Sequence, residues 1–248
     1  MARMKFMNTE IDNLTMQETL QAIDQLIQAN KSAYVVTPNV DHIVQLETNK
    51  ELQAVYKNAS LILTDGKPLL WIANWYGTPI KEKISGSDLF PLLCKMAAEK
   101  GYKMFFLGAA EGVAARAAEN LMNRFKGLQV TGTYSPPFGF EKDPVEMNKI
   151  KSMIKASGAD ILIVGLGCPK QEKFMYHHCA ELGVPISFGL GASFDFEAGN
   201  IKRAPRWMAN HGLEWLFRIT QDPKRMAKRY LVDDRKILGL AIKYRPNK

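Results

Sequence analysis

The segment Ile161-Leu-Ile-Val-Gly-Leu-Gly167 decides the fold of this 248-residue chain. Its apolar, β-branched residues run without a polar interruption into two glycines, which is typical of a strand buried on both faces that ends in a tight turn. A second segment of the same form, Pro185-Ile-Ser-Phe-Gly-Leu-Gly191, follows after residues with helical spacing at Lys170–Leu182. A strand, a helix and a strand in this order predict a parallel βαβ unit.

The same alternation extends towards the N-terminus. We expect further strands at Ala33–Thr37, Ser60–Thr64, Lys103–Gly108 and Gln129–Gly132, with the two quoted strands spanning Asp160–Gly167 and Pro185–Gly191. We expect the other helices at Met16–Asn30, Lys50–Asn58, Ser87–Lys100, Glu111–Phe125 and Pro144–Ala156. This pattern predicts an α/β, Rossmann-like fold with a mostly parallel sheet covered by helices on both faces.

Composition indicates a soluble, globular protein. Hydrophobic residues make up 46% of the chain and charged residues 23%. No apolar run is long enough to span a bilayer, and the N-terminus lacks the apolar core of a signal peptide. The three cysteines are widely spaced, which argues against a disulfide framework. We therefore expect a cytoplasmic protein.

Positive charge is concentrated at the C-terminal end. Residues 202–248 contain 13 Lys or Arg and 4 Asp or Glu, although the net charge of the whole chain is only +8. The strand–helix alternation also stops after Ile201, and short helices are expected at Ala204–Asn210, Leu213–Thr220 and Pro223–Tyr230. We predict an α/β core at 1–200 and a basic helical appendage at 201–248. Aromatic residues among its cations are compatible with a membrane surface, a nucleic acid or a plain solvated face.

Short polar side chains follow the first two strands of the predicted sheet. Thr37-Pro-Asn-Val-Asp41 follows one strand, and Thr64-Asp-Gly-Lys67 follows the next. Strand carboxyl ends are where a doubly wound sheet binds its ligands. Asp65 is a candidate general base, because an apolar surrounding raises the pKa of a carboxyl group. The alternative is that Asp65 and Asn39 only cap the helices that follow.

The two glycine turns each lack the third glycine of a dinucleotide fingerprint. Gly165-Leu-Gly167 and Gly189-Leu-Gly191 fit a nucleoside diphosphate better than a nicotinamide cofactor, unless they serve only as tight turns. Asp195 and Glu197 could hold a divalent cation, but the neighbouring Lys202, Arg203 and Arg206 could neutralise phosphates instead.

Together these motifs resemble the WecG/TagA/CpsF family, also called glycosyltransferase family 26. The resemblance runs in order from about residue 5 to 235. The matching elements are Thr37-Pro-Asn39, Thr64-Asp-Gly66, Ser85-Gly-Ser-Asp88, Phe106-Leu-Gly-Ala109, Gly165-Leu-Gly-Cys-Pro-Lys-Gln-Glu172, Gly189-Leu-Gly-Ala-Ser-Phe-Asp195, Arg203-Ala-Pro205 and Gly212-Leu-Glu-Trp215.

The resemblance implies an inverting, metal-independent transferase without a cofactor. Such enzymes move a sugar, here N-acetylmannosamine, from a UDP-sugar to a polyprenyl-diphosphate-linked sugar on the inner face of the cell membrane. The resemblance implies that Asp65 is the base, and that Thr37 and Asn39 complete the catalytic set. The substrate-binding residues that it implies are Lys83, Gly165, Gly167, Lys170, Gln171, Gly191, Asp195, Arg203, Arg218, Arg225 and Lys228.

Two departures from the family pattern concern cations. Lys83 and Lys228 stand where the family often has arginine, and lysine lacks the bidentate geometry of a guanidinium. The loop Pro136-Pro-Phe-Gly-Phe140 is more similar to exopolysaccharide and capsule members, which leaves another UDP-hexose or a UDP-hexuronic acid open as the donor. We expect peripheral attachment to the membrane and no binding of nucleic acid, and a homo-oligomer stays open.

Overall fold

The computed structural model describes residues 3–205, 207–208 and 211–246, apart from the side chain of Arg225. Within these residues a six-stranded parallel sheet forms the centre, and two short antiparallel strands form a separate hairpin. The hairpin strands are β1 (Met4–Phe6) and β2 (Thr9–Ile11). The sheet strands are β3 (Ala33–Val36), β4 (Leu61–Ile62), β5 (Lys103–Gly108), β6 (Gln129–Tyr134), β7 (Ile161–Gly165) and β8 (Ile186–Gly189).

Helices connect the strands and continue to the C-terminus. In the described part of the chain they are α1 (Met16–Ala29), α2 (Val40–Leu46), α3 (Lys50–Asn58), α4 (Lys67–Tyr76), α5 (Gly86–Lys100), α6 (Val113–Arg124), α7 (Pro144–Ser157), α8 (Lys170–Leu182), α9 (Ser193–Glu197), α10 (Glu214–Gln221), α11 (Pro223–Lys228) and α12 (Ile237–Lys243). Between α11 and α12 lie a π-helical turn at Arg229–Asp233 and a 3-10 turn at Asp234–Lys236.

The segment that decided the fold lies inside the sheet, as predicted. Strand β7 pairs in parallel with β5 on one side and with β8 on the other. Ile161 and Ile163 pack on one face of the sheet, and Leu162 and Val164 pack on the opposite face. Both faces therefore need a cover of helices, and the α/β Rossmann-like fold is confirmed.

The strand order β4-β3-β8-β7-β5-β6 places the predicted site segments together. Because the strands are parallel, the loops after β4, β3, β8 and β7 emerge side by side at one edge. The loops after β4 and β3 are in direct contact, because the backbone amide of Asp65 donates a hydrogen bond to the carbonyl of Pro38 at 2.8 Å. The polar side chains and both glycine turns thus share one edge of the sheet.

The boundaries of the elements differ from the prediction mainly at the glycine turns. The strands end at Gly165 and Gly189, so the second glycine of each pair lies in a loop. Helices α2 and α4 were not predicted. Helix α2 is only seven residues long, and α4 follows Gly66, which adopts a φ of 96° that a glycine tolerates. The helix expected at 204–210 lies partly outside the described residues.

The C-terminal helical segment is confirmed, and its last helix packs against the rest of the protein. Ile237 and Ala241 of α12 are buried in the same core cluster as Phe6 and Leu162. The hydroxyl of Tyr76 in α4 also donates to the carbonyl of Ala241 at 2.6 Å. A boundary between residues 200 and 201 stays a proposal, because α12 shares the core of the preceding domain. No helix in the described ranges combines the length and apolarity that a membrane crossing requires.

Candidate functional site

Two adjoining cavities open at the carboxyl edge of the sheet. The first, the polar cavity, has a volume of about 330 Å³ and is bounded by the glycine turns. The second, the apolar cavity, has a volume of about 400 Å³ and extends between α4 and the C-terminal segment. The residues that line both cavities, and so form their shared wall, are Asn39, Asp65, Arg218 and Arg229.

The two cavities differ in chemistry. The lining of the polar cavity includes Thr37, Asp41, His42, Ser87, Gly167, Cys168, Gln171, Gly189, Gly191 and Ser193. The lining of the apolar cavity includes Pro68, Trp215, Tyr230, Leu231, Ile237 and Leu238, with Lys67 and Lys83 among them. A small polar ligand and an amphiphilic ligand can therefore meet at the shared wall.

Asp65 lies in the shared wall and does not cap the helix that follows it. The N-cap of the following helix is Gly66, and no side chain caps that helix. Burial raises the pKa of Asp65 to about 6, although the nearby cations Arg218 and Lys83 lower it. No hydrogen bond to the Asp65 carboxylate is found among the described residues. A carboxylate with this pKa is largely ionised at neutral pH and ready to accept a proton.

Asn39, by contrast, does cap the helix that follows it. Its Oδ1 atom accepts a hydrogen bond from the backbone amide of His42 at 3.4 Å, and its own backbone amide donates to His42 Nδ1 at 3.4 Å, which completes a capping box. His42 Nδ1 also lies 2.9 Å from Asn39 Oδ1. Arg229 of the C-terminal segment donates to the same oxygen at 3.2 Å. Thr37, at the end of the preceding strand, is buried and lines the polar cavity. Asn39 thus both caps α2 and forms part of the cavity wall.

The glycines of the two turns are needed for different physical reasons. A Cβ atom on Gly165 would lie 2.5 Å from the ring of Phe194, so this glycine is required by packing. Gly167 and Gly191 line the polar cavity with φ angles of 78° and 51°. The backbone amide of Gly191 donates to Gln171 Oε1 at 3.1 Å, which ties the second turn to α8.

Among the predicted cations, Arg218 and Lys83 reach the cavities. Arg218 is in the shared wall, 3.4 Å from Glu214 and stacked over Phe196 with its guanidinium 5.4 Å from the ring centre. Lys83 lines the apolar cavity, 3.0 Å from Asp88. A cation at the shared wall can stabilise negative charge that develops between the two cavities.

Several other predicted site residues lie outside the described linings of the two cavities. Lys170 pairs with Glu141, Arg203 bridges Asp88 and Glu197, Asp195 accepts from Asn200, and Lys228 is exposed. The side chain of Arg225 lies outside the described part of the structure. The carboxylate of Glu197 also pairs with Arg124, so one of the two carboxylates considered for a metal is paired with arginines.

His42, Glu172 and Arg229 were missed as site residues. The nitrogen of His42, the sulfur of Cys168 and a carboxylate oxygen of Glu172 lie within 4.8 Å of one another, the kind of donor set that holds a divalent transition metal. Here His42 Nε2 and Glu172 Oε1 are 3.2 Å apart and hydrogen-bonded, whereas Glu172 Oε2 is buried and has no hydrogen-bond partner among the described residues. Only Glu172 had a sequence signal, as the last residue of the Pro-Lys-Gln-Glu element.

Comparison with known proteins agrees with this architecture. Residues 4–248 match the family described as "Glycosyl transferase WecG/TagA/CpsF family". A protein of Bacillus spizizenii (strain ATCC 23059 / NRRL B-14472 / W23), named N-acetylglucosaminyldiphosphoundecaprenol N-acetyl-beta-D-mannosaminyltransferase, is 33% identical over 223 residues, which are 90% of this chain and 83% of the relative. A protein of the same name from Bacillus subtilis (strain 168) is 30% identical over 203 residues, 82% of this chain and 75% of the relative.

Proposed function

The chain belongs to the WecG/TagA/CpsF family of glycosyltransferases, and we propose that it transfers N-acetylmannosamine from a UDP-sugar to a polyprenyl-diphosphate-linked N-acetylglucosamine. The names of the two Bacillus relatives specify this sugar and this acceptor. The observation that carries the proposal is the position of Asp65 in the wall between a polar and an apolar cavity. That is where a base must lie if the donor and the acceptor bind on its two sides.

In the proposed reaction the acceptor hydroxyl attacks the anomeric carbon of the donor sugar. Asp65 takes the proton of that hydroxyl while the bond between the anomeric carbon and the diphosphate oxygen breaks, and UDP leaves. A single displacement of this kind inverts the anomeric centre. The raised pKa of Asp65 supports its role, since a carboxylate with a pKa of about 6 is a stronger base than an ordinary aspartate.

We place the nucleotide in the polar cavity. Gly167 and Cys168 line that cavity just before the N-terminus of α8, a 13-residue helix whose free backbone amides and dipole favour an anion. Arg218 and Arg229 add positive charge at the shared wall. These groups can balance the charge of the departing diphosphate, which supports a mechanism without a metal.

We place the lipid-linked acceptor in the apolar cavity, which opens beside an exposed apolar surface. All four tryptophans of the chain are exposed, Trp71 by 54%, Trp75 by 46%, Trp207 by 60% and Trp215 by 37%. Leu238 and Ile242, one turn apart on α12, are each 70% exposed. Exposed tryptophans are typical of proteins that lie in the interface of a bilayer.

We define the membrane face as Trp71, Trp75, Leu231, Leu238 and Ile242. Tyr76 of α4 and Ala241 of α12 are hydrogen-bonded, which holds these two helices together. Arg245 lies over the ring of Trp75 at 4.6 Å, so positive charge accompanies the apolar side chains. We propose that this face rests on the inner side of the cell membrane, so that the diphosphate can reach Asp65 while the polyprenyl chain stays in the lipid.

The test is a transfer assay with a short-chain polyprenyl-diphosphate-N-acetylglucosamine and a panel of UDP-sugars. We expect transfer of N-acetylmannosamine to exceed that of other sugars, with a product of inverted configuration. Faster transfer from another UDP-hexose or a UDP-hexuronic acid would show that the reaction is correct but that the donor sugar is a different one. The absence of transfer from every UDP-sugar would overturn the proposed function.

A further inference from the structure

A buried pair of charged residues connects the loops around the polar cavity. His42 of α2 is 5% exposed and Glu172 of α8 is 1% exposed. His42 Nε2 lies 3.2 Å from Glu172 Oε1, although 130 residues separate the two in sequence. Burying two such polar side chains is costly, because both lose their contacts with water, so the pair adds little to stability on its own account.

Each residue of the pair also contacts the side-chain amide of a residue in the cavity wall. His42 Nδ1 is 2.9 Å from Asn39 Oδ1. Glu172 Oε1 accepts from Gln171 Nε2 at 2.8 Å, and Gln171 Oε1 accepts from the backbone of Gly191 at 3.1 Å. The hydrogen bonds thus form one continuous chain across the ends of β3, β7 and β8, which are neighbours in the sheet.

The contacts of His42 fix the orientation of the Asn39 side chain. Arg229 can only donate, so the Asn39 atom that it contacts is the amide oxygen. His42 Nδ1 lies 2.9 Å from the same oxygen, and the backbone amide of Asn39 donates to His42 Nδ1 at 3.4 Å. The imidazole ring is thus held against Asn39 on one side and against Glu172 on the other.

This arrangement determines which group of Asn39 is left for a ligand. The backbone amide of His42 and the guanidinium of Arg229 both donate to Asn39 Oδ1, so the amide nitrogen of Asn39 is directed away from them. Both ends of the Gln171 amide are bound within the protein, so Gln171 holds the Gly191 turn in place. Asn39, Gln171 and Gly191 all line the polar cavity.

We propose that His42 and Glu172 are positioning residues, whose hydrogen-bonded contact orients the Asn39 amide and the Gly191 turn to receive the nucleotide sugar. The inference rests on the proposed function, since it takes the polar cavity to be the nucleotide site. Neither side chain needs to touch the nucleotide, because the orientation is transmitted through Asn39 on one side and Gln171 on the other.

The experiment is a double-mutant cycle with UDP as the probe, measured by calorimetry on the full chain. His42→Gln and Glu172→Gln should each weaken UDP binding about 10- to 100-fold, as expected for the loss of a charge-assisted hydrogen bond, with the stoichiometry unchanged. The double variant should bind UDP no more weakly than the weaker-binding single variant, because both substitutions break the same series of hydrogen bonds. Merely structural damage would instead lower the fraction of competent sites.

A matched control is available on the same helix. His177 of α8 pairs with Glu51 at 2.8 Å in the same manner, but its side chain is 48% exposed. His177→Gln should leave UDP affinity unchanged. If Glu172→Gln, which preserves shape, binds UDP as tightly as the wild type, or if the two substitutions are additive, the positioning role is wrong. If the wild type itself does not bind UDP, the proposed function fails and this inference with it.

Discussion

Replacing Asp65 with asparagine should abolish turnover and, at the same time, stabilise the fold at neutral pH. The amide keeps the shape of the side chain but cannot accept the proton of an acceptor hydroxyl. Loss of a general base typically reduces the rate by about 10²–10⁴-fold. Because the base acts in the chemical step, the loss should appear in kcat, with UDP affinity nearly unchanged.

The stability effect can be worked from the pKa. Burial raises the pKa of Asp65 from 3.8 to about 6, and each pKa unit corresponds to about 1.4 kcal/mol. The ionised carboxylate therefore destabilises the folded state by at most about 3 kcal/mol. The actual cost is smaller, because the side chain is partly exposed to solvent. The folded protein binds this proton more tightly than the unfolded chain does. The cost is thus absent below pH 3.8, grows as the pH rises, and is complete above about pH 6.

The assay compares urea unfolding of wild type and Asp65→Asn at pH 5 and pH 8. The variant should be more stable by about 1–3 kcal/mol at pH 8, with a smaller difference at pH 5. Asp143 is a suitable control, because it does cap α7 by accepting from the backbone amides of Val145 and Glu146. Asp143→Ala should lose about 1 kcal/mol and keep full turnover. An Asp65→Asn variant that retains half the wild-type rate, or is destabilised at pH 8, would refute the reasoning.

Four further predictions address the cations, the metal and the membrane. Wild-type kcat should fall as the pH drops through about 6, where Asp65 becomes protonated. Arg218→Ala should shift this fall to higher pH, because Arg218 lowers the pKa of Asp65. An unchanged pH profile of kcat would exclude an effect of Arg218 on Asp65. Excess EDTA should leave turnover intact, and a loss restored by Mg²⁺ or Mn²⁺ would show that a metal carries the diphosphate charge. The double variant Trp71→Ser/Trp75→Ser should float less with anionic liposomes, whereas Phe138→Ser, a change at a fully exposed ring outside the membrane face, should float like wild type; equal flotation of all three would exclude α4 from the contact. Deletion from Ile201 onward should lower the thermal midpoint as well as flotation, since it removes the buried Ile237 and Ala241, and an unchanged midpoint would support the 200/201 domain boundary.

The sheet could be predicted because its strands carry their own signal. Ile161–Gly165 is apolar throughout and Lys103–Gly108 is apolar after its first residue, so both strands had to lie between two layers of helices. The place of Asp65 at the edge of the sheet could be predicted for a related reason, since it comes three residues after the end of the strand Leu61–Ile62. Parallel topology then brought it to the same edge as the glycine turns.

The rest of the site depends on contacts that no local pattern records. His42 and Glu172 meet only because α2 and α8 follow neighbouring parts of the sheet, and a single histidine in a short helix is unremarkable in sequence. Arg229 was one of many cations in a basic segment, and nothing local distinguished it from Lys228, which is exposed. Trp71 and Trp75 were overlooked because membrane contact was expected from residues 201–248 alone.

The apolar lining of the second cavity bears on a competing reaction, the hydrolysis of the activated sugar. A base beside a bound sugar nucleotide would activate water as readily as an acceptor hydroxyl. Leu231, Ile237 and Leu238 line part of the side from which Asp65 would receive its acceptor. An acceptor that packs its lipid against these side chains would displace the water next to Asp65 at the moment when its own hydroxyl arrives, so the same binding event that supplies the acceptor would also remove the competing nucleophile.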